Sequence, residues 1–175
     1  MVDEMSDIKW QIIKHSDTDL ELLIKIASIK DQHWTYGIDS QIEWINKNIR
    51  YNDYHLLGYV DKKPVAYMSI VHVSVSIDEK LLDSLGIGNV CVDVEFGKKR
   101  LGSRLVCEAN RFILDSGFTG ILLCKSELIP FYKKNGWNVL EYKEAIVAGI
   151  LYDKIVMLLE NESPKCGKIV IDKNF

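Results

Sequence analysis

The spacing of apolar residues predicts four helices along the chain. Apolar side chains recur three and four positions apart in Asp19–Lys30, Gln41–Ile49 and Leu101–Ser116, as they do on one face of an amphipathic helix. In the first of these segments, Lys30 falls on the apolar stripe itself. A fourth, shorter helix is predicted over Glu127–Asn135, because a proline stands in its first turn and a glycine follows its end.

Short apolar runs bounded by turn residues predict the strands. They are Ile8–Ile13, His55–Val60, Pro64–Ser76, Gly88–Val94, Thr119–Cys124, Trp137–Tyr142, Lys154–Leu159 and Lys168–Ile171. Val90, Val92 and Val94 alternate with other residues, which predicts that they share one buried face. The more polar Asp78–Leu85 predicts a connection or a short helical turn. The order β-α-α-β-β-β-α-β-α-β-β-β indicates an α/β fold of mixed α+β character, with helices on both faces of one mixed sheet.

Composition and charge narrow the classes of protein. The 175 residues suit one domain over positions 1–175, and 47% hydrophobic content excludes disorder of the whole chain. A net charge of −3 and a pI of about 5.8 argue against a nucleic-acid partner. No run approaches ~18 apolar residues, and the acidic N-terminal segment is unlike a signal peptide. We therefore expect a cytoplasmic protein without a membrane partner.

Cysteine and histidine spacing predicts no metal site. The 4 cysteines form no CxxC pair, and the 4 histidines show neither HxH nor HExxH spacing. Three of the cysteines lie in apolar runs and are expected to be small core residues.

The densest basic run lies between a predicted strand and a predicted helix. Lys98, Lys99 and Arg100 stand between Gly97 and Gly102. A helix N-terminus leaves backbone N–H groups without intrahelical acceptors and carries a partial positive charge, and glycine lets the backbone approach an anion closely. The segment therefore predicts a phosphate site or, on the plainer interpretation, a solvated charge run that opens a surface helix.

This segment resembles the cofactor-binding motif of the GCN5-related N-acetyltransferase (GNAT) superfamily. The family's pattern is Val-x-Pro-x-aromatic-(Arg/Gln)-Gly-x-Gly-x-(Gly/Ala)-x-x-Leu, and it aligns with residues 92–105. Gly102 and Leu105 are in register with it. Gly97 stands where the family has Arg or Gln, and Arg100 stands where the family has Gly.

A second stretch, residues 128–137, is similar to the family's late helix, Ala-x-x-(Leu/Phe)-Tyr-x-x-x-Gly-(Phe/Trp). Tyr132, Gly136 and Trp137 fall in register, and the predicted strand Thr119–Cys124 separates the two motifs. The resemblance therefore spans nearly the whole chain and implies a GNAT-like acyl-CoA N-acyltransferase fold.

The resemblance implies that acetyl-CoA is the cosubstrate and that no metal takes part. Family members bind it at a splayed point between two parallel strands, which would here be Val90–Val94 and Thr119–Cys124. Backbone groups of Val90 and Val92 would pair with the pantetheine arm, and amides from Gly97 to Gly102 would hold the pyrophosphate. The expected cofactor-binding residues are Val90, Cys91, Val92, Gly97, Lys98, Lys99, Arg100, Leu101, Gly102 and Ser103.

The resemblance also implies that an amine attacks the thioester directly, without an acyl-enzyme. Tyr132 is the expected donor of a proton to the CoA thiolate, and the alternative is a tyrosine that only packs on the sheet. Glu95 is the candidate general base, with Asp93, His72 and a water as alternatives. A covalent acetyl relay through Cys91 is less favoured than a buried core cysteine.

The expected acceptor is a small-molecule amine. An aromatic cluster lies in the N-terminal region, which often lines the acceptor pocket in this superfamily: Trp34, Tyr36, Trp44, Tyr51 and Tyr54. With Asp31, Asp39 and Glu43 nearby, it would suit a cationic amine or a sugar ring. The plainer interpretation is a set of core aromatics with surface charges.

The sequence leaves two alternatives to this function open. It also leaves open whether the chain forms a homodimer. One alternative is an aminoglycoside 2′-N-acetyltransferase, a branch that the hairpin Val60–Val75 and the terminal Phe175 resemble more loosely, with an amino sugar as acceptor. That branch usually has a glutamate where this chain has Gly88. The other is a degenerate GNAT protein that binds CoA without catalysis.

Overall fold

The computed structural model of the protein describes residues 8–97, 100–159 and 165–175, which form four α-helices and ten β-strands. The helices are α1 (Leu20–Asp31), α2 (Ile38–Asn48), α3 (Leu101–Asp115) and α4 (Ile129–Lys134). The strands are β1 (Lys9–Lys14), β2 (Tyr54–Val60), β3 (Lys63–Ile77), β4 (Lys80–Val92), β5 (Thr119–Cys124), β6 (Asn138–Val139), β7 (Glu141–Val147), β8 (Ile150–Leu151), β9 (Ile155–Leu158) and β10 (Lys165–Ile171). The predicted α/β class and its four helices are confirmed.

Residue contacts divide the chain into two compact units, so the expectation of one domain over 1–175 stays a prediction. The first unit contains the described residues of Met1–Val71 and Asn89–Glu108. In it, β2 pairs antiparallel with both β1 and β3, and α1 packs against α2. Apolar side chains that alternate or recur at helical spacing fill its core, among them Ile26, Ala27, Ile45, Leu56, Met68 and Leu105.

The second unit contains the described residues of His72–Gly88 and Ala109–Phe175. Here β4 runs parallel to β5, and β9 lies antiparallel to both β5 and β6. Strand β10 lies between β3 and β7, antiparallel to the first and parallel to the second. The pairing is thus both parallel and antiparallel, as the predicted mixed sheet requires. Buried residues of this unit include Leu85, Ile113, Ile121, Trp137, Met157 and Ile169.

The prediction for Asp78–Leu85 is wrong, because most of this segment belongs to β4. Strands β3 and β4 are joined by a two-residue turn in which Asp78 and Glu79 both have positive φ, 46° and 69°. Such primed turns usually use Asn or Gly, so the sequence gives little local sign of one. The Asp78 carboxylate accepts hydrogen bonds from the N–H groups of Gly167 and Lys168, which stabilises the turn from outside.

The predicted common face of Val90, Val92 and Val94 is also wrong. Strand β4 ends at Val92, and Val94 lies exposed in a 3₁₀ turn. Asn89 adopts φ 53°, which interrupts the strand alternation, and Cys91 is buried in place of its valine neighbours.

The predicted strand Trp137–Tyr142 is divided into β6 and the start of β7. Strand β7 continues to Val147 and turns back into β8 through Ala148 and Gly149, which both have positive φ. None of the helices in the described part of the chain is long and apolar enough to cross a membrane.

Candidate functional site

The predicted cofactor residues run from the end of β4, through the segment that follows it, into the first turn of α3. Val90 and Val92 are partly exposed, so they retain surface for a ligand, and Cys91 is buried. The Val92 carbonyl lies 2.7 Å from the Nε2 atom of His33. Because a carbonyl can only accept, His33 donates this bond and its proton is therefore on Nε2.

A 3₁₀ turn over Val94–Phe96 follows the strand, and Asp93 organises it. The Asp93 side chain accepts a hydrogen bond from the N–H of Glu95, and its own N–H donates to the Val65 carbonyl. Lys63 Nζ lies 3.0 Å from Asp93 Oδ2. Burial by itself raises the pKa of the Asp93 carboxyl, but the hydrogen bonds from Lys63 and from the turn lower it by more, so the net shift is downward. Asp93 therefore acts as a charged anchor of the turn.

Glu95, the candidate general base, lies on the outer side of this turn. Its side chain is 71% exposed, and its Oε2 atom lies 3.1 Å from Lys63 Nζ. Lys63 thus bridges the two carboxylates of Asp93 and Glu95. The catalytic role of Glu95 stays a prediction.

Gly97 and Arg100, two of the positions at which the loop departs from the family pattern, differ in backbone conformation. Gly97 has φ −59°, and a Cβ atom there would have its nearest neighbour, the Val94 carbonyl oxygen, at 3.7 Å. A side chain would therefore fit at this position. Arg100 has φ 55°, the left-handed region that favours glycine. The chain thus has a glycine where the backbone does not require one, and an arginine where the backbone conformation favours glycine.

Helix α3 begins directly after Arg100. The N–H of Arg104 donates to the Arg100 carbonyl at 3.3 Å, and the N–H groups of Leu101 and Gly102 precede this first intrahelical bond. Leu101 and Leu105 are fully buried, so they fix this end of the helix. Backbone donors at such an end attract anions. Lys98 and Lys99, which were predicted to add charge here, lie outside the described residues.

Tyr132 lies in α4, in the second unit. Its ring is buried and packs edge-on against Phe131, with ring centroids 5.0 Å apart. Burial, with a smaller effect of Cys124, raises the pKa of the Tyr132 phenol to about 12. No hydrogen bond within the described part of the chain uses its hydroxyl. At neutral pH Tyr132 is therefore a protonated phenol with its donor available.

The end of α4 is held by a fully buried tryptophan. Trp137 Nε1 donates to the Asn110 side chain at 2.9 Å, and Asn110 in turn donates to the Asn135 carbonyl at 2.8 Å. The Tyr132 carbonyl accepts from the N–H groups of Asn135 and Trp137. The motif residues Tyr132 and Trp137 are thus joined through one hydrogen-bonded turn.

Two other sequence candidates have environments that bear on their roles. Burial raises the pKa of the Cys91 thiol to about 12, so the thiol is protonated at neutral pH and unsuited to act as a nucleophile. His72 packs edge-on against Phe118 with ring centroids 5.6 Å apart. Of the cysteines expected in the core, Cys91 and Cys124 are buried, whereas Cys107 is exposed on α3.

A pocket of about 480 Å³ lies in the first unit, where α1, α2 and β4 contribute its lining. The lining residues are Lys30, Trp34, Tyr36, Ser40, Gln41, Trp44 and Asn89. Three members of the predicted aromatic cluster are therefore here, and none of the five is a buried core residue.

Among the residues that the structure describes, the pocket lining contains a lysine and no carboxylate. The expected acidic residues lie elsewhere: Asp31 accepts a hydrogen bond from the N–H of Gly37, and Asp39 and Glu43 are exposed. The sequence did not predict four of the pocket residues, which are Lys30, Ser40, Gln41 and Asn89. A lysine on the apolar stripe of α1 was the available signal for the first of them.

Comparison with known proteins gives matches of structure only. No protein-family model matches the chain, and no curated protein matches it in sequence. The ElaA protein of Escherichia coli superposes with a TM-score of 0.64 at 18% identity, over 88% of this chain and 100% of its own. An acyl-CoA N-acyltransferase from Pseudomonas aeruginosa gives a TM-score of 0.63 at 15% identity, over 88% and 100% of the two chains.

A third similar structure contains a ligand. YhbS of Escherichia coli, a GNAT family N-acetyltransferase in complex with CoA, gives a TM-score of 0.60 at 14% identity, over 94% of this chain and 90% of its own. Together with the α3 and α4 motifs, these likenesses establish that the chain has the fold of the GCN5-related N-acetyltransferases.

Proposed function

We propose that the protein is an N-acetyltransferase that moves the acetyl group of acetyl-CoA to a primary amine of a small molecule. The observation that carries the proposal is the GNAT fold, which the chain shares with an N-acetyltransferase in complex with CoA. The two motifs at the start of α3 and in α4 supply residues that suit this chemistry.

The segment from β4 to α3 fits the phosphate end of CoA. Gly97 leaves open space beside the loop, and the N–H groups of Leu101 and Gly102 lie before the first intrahelical bond of α3. Arg100 adds an exposed positive charge at the same place. These features support pyrophosphate binding by residues 97–103, with Val90 and Val92 as the strand that holds the pantetheine arm.

In the proposed reaction, the neutral amine attacks the thioester carbonyl, a C–N bond forms and the C–S bond breaks. The amine loses one proton to a base, for which Glu95 or a water is proposed. The CoA thiolate takes one proton from the Tyr132 phenol, and solvent returns a proton to Tyr132. Burial raises the pKa of Tyr132 to about 12, so the phenol is protonated at neutral pH and its hydroxyl can donate to the thiolate.

One observation favours a second candidate, a protein that binds CoA without catalysis. Arg100 occupies a backbone position that favours glycine, in the loop that the family uses for the cofactor. The aminoglycoside alternative receives less support, because the described residues of the pocket lining offer a polycation no carboxylate.

The test is acetyl-CoA turnover with a panel of primary amines. Turnover is measured as the release of free thiol. Amine-dependent thiol release is expected. CoA binding measured by calorimetry without thiol release for any amine would favour the binding protein instead.

The Gly102→Asp variant tests the loop separately. An acidic residue in the first turn stabilises a helix, so the variant should fold, while its carboxylate repels the pyrophosphate. We expect CoA binding to be lost in Gly102→Asp and largely kept in the uncharged control Gly102→Asn. Equal CoA affinity in the wild type and a folded Gly102→Asp would remove this loop from the site.

A further inference from the structure

Lys30 is a buried lysine without an acidic partner among the described residues. It is 2% exposed, on the face of α1 that also buries Ile26 and Ala27. Its Nζ atom lies 4.1 Å from the centroid of the Trp44 ring. An ammonium group over an aromatic face is only partly compensated for the water it has lost. Burial accordingly lowers the pKa of Lys30 to about 8.

The lining of the pocket beside Lys30 is otherwise aromatic and neutral. Trp34, Tyr36 and Trp44 supply flat apolar surface, and Lys30 is the only charged residue among the lining residues of the described chain. A volume of about 480 Å³ is within the range of small-molecule sites.

Hydrogen bonds hold this lining in place before any ligand arrives. The Gln41 side chain donates to the Trp34 carbonyl, and Asn89 Nδ2 donates to Ser69 Oγ at 3.0 Å. Asp31 accepts from the N–H of Gly37 at 2.7 Å and so fixes the loop between α1 and α2. The pocket is therefore preformed, and the charge of Lys30 has no acidic partner among the described residues.

We propose that this pocket binds the carboxylate of a ligand with a flat, apolar or aromatic frame, and that Lys30 is its counter-ion. A single lysine matches one negative charge, and the aromatic walls match a planar frame. The binding site stands on the pocket alone. The further step, that this ligand is the acyl acceptor and so an amine that carries a carboxylate, rests on the proposed acetyltransferase function.

The other titratable groups that face Lys30 stay neutral around neutral pH. Cys91 on β4 has its thiol pKa raised to about 12 by burial. His55 on β2 has its pKa lowered to about 3, first by burial and then by the charges of His15 and Lys30. Neither of these two groups therefore changes its charge between pH 6 and pH 9.

Two matched probes test the proposal: 4-(aminomethyl)benzoate and 4-(aminomethyl)benzamide, which share the ring and the amine and differ in the carboxylate. Binding is measured by calorimetry and by quenching of tryptophan fluorescence. A charge-assisted contact predicts that the benzoate binds the wild type about tenfold more tightly or better at pH 7. The Lys30→Met variant is expected to bind the two probes equally.

The control is Lys25→Met on the same helix. Lys25 pairs with Glu21 at 2.6 Å and lies outside the pocket lining, so its removal changes the net charge equally and should leave the tenfold preference intact. A second measurement needs no variant. In the wild type, benzoate affinity should fall as the pH rises through about 8, whereas benzamide affinity should not.

Equal affinity of the two probes for the wild type overturns the proposal, and so does a preference that survives in Lys30→Met or shows no change across pH 8. The same probes serve as acceptors in the thiol-release assay. A benzoate preference that depends on Lys30, without any turnover, supports the pocket and contradicts the acetyltransferase. Turnover of both probes at equal efficiency supports the acetyltransferase and overturns this inference.

Discussion

Lys30 and Tyr132 show how burial gives two ordinary side chains opposite electrostatic roles. Burial lowers the pKa of the Lys30 ammonium and raises that of the Tyr132 phenol, because in both cases the charged form loses water. The ammonium charge of Lys30 is left without a negatively charged partner among the described residues. Tyr132 is left as a phenol that stays protonated at neutral pH, so its hydroxyl is available as a hydrogen-bond donor.

Tyr132→Phe removes one hydroxyl and little else of the side chain. General acid catalysis contributes typically ~10²–10⁴-fold, so kcat should fall by that order while CoA affinity is unchanged. The measurement is single-turnover thiol release under conditions where chemistry is rate-limiting. The matched control is Tyr142→Phe, which removes the hydroxyl that donates to the Lys154 carbonyl and should keep kcat near that of the wild type. A change of less than about threefold in kcat for Tyr132→Phe would assign Tyr132 to packing.

At the scale of single residues, motif spacing identified Tyr132 as a candidate proton donor, a role that stays a prediction. Lys30 was recognised only as part of a helical stripe. A tyrosine four residues before a Gly-Trp pair, with the right preceding strand, is a specific pattern. A lysine on an apolar face usually extends its ammonium to water, so its sequence position does not reveal a buried charge. The distance of 4.1 Å to the Trp44 ring depends on α2, and so on packing between elements.

Among the elements, the helices were predicted best because their signal is local. Helix α3 has apolar residues at a period of about 3.6, and its observed span Leu101–Asp115 ends one residue from the expected boundary. Strand β4 was predicted only in its second half. Its first half depends on a turn at Asp78 and Glu79 that is stabilised by backbone N–H groups near residue 167, far along the chain.

The junction between β4 and α3 makes a prediction about stability. Arg100 is exposed and has φ 55°, so Arg100→Gly relieves left-handed strain and should raise the unfolding free energy by roughly 0.5–1 kcal/mol. Gly97 has φ −59° and room for a Cβ, so Gly97→Ala should raise it by about 0.5 kcal/mol, because the unfolded chain loses freedom. Urea denaturation at pH 7 measures both variants.

Arg100→Gly introduces a glycine and Gly97→Ala removes one, so each variant is a control for the other. If Arg100→Gly destabilises the protein while Gly97→Ala stabilises it, the Arg100 side chain makes a stabilising contact that outweighs its backbone strain.

For the whole molecule, the order of motifs predicted the fold because it fixes which strand precedes which helix. Identities of 14–18% to the similar structures show that the same architecture is reached with almost entirely different side chains. The pocket beside Lys30 could not be predicted in the same way, since its lining comes from α1, α2, the loop between them and β4, at positions far apart in the chain.

The stability of the whole protein should fall in acid because of a buried histidine chain. His15 Nδ1 lies 3.0 Å from His55 Nε2, and His55 Nδ1 lies 3.0 Å from the Tyr67 hydroxyl. Burial lowers the pKa of His55 to about 3, against 6.5 for an ordinary histidine, and that of His15 also shifts downward. Above pH 6.5, His55 is unprotonated in both the folded and the unfolded protein, so no effect on the unfolding free energy is expected. As the pH falls from about 6.5 towards 3, the unfolded state takes up the proton first and the folded state loses stability.

One such proton gives a slope of at most about 1.4 kcal/mol per pH unit. The measurement is the unfolding free energy in urea at several values between pH 7 and pH 4.5, for the wild type and His55→Gln. The variant should be less stable at pH 7 but lose less stability per pH unit. Parallel slopes for the two proteins would show that acid acts through other groups.

The position of β10 has a consequence for how the chain is made. Strands β3 and β7 both lie along β10, yet both leave the ribosome before it, so each meets the cell with one row of unpaired N–H and carbonyl groups. Within the described ranges of the chain, the insertion of Lys165–Ile171 between them covers those two rows. A nascent chain that stalls or terminates after β9 therefore exposes two unpaired strand edges at once, and such edges promote aggregation. Pairing of the last described strand with both edges removes them from solvent.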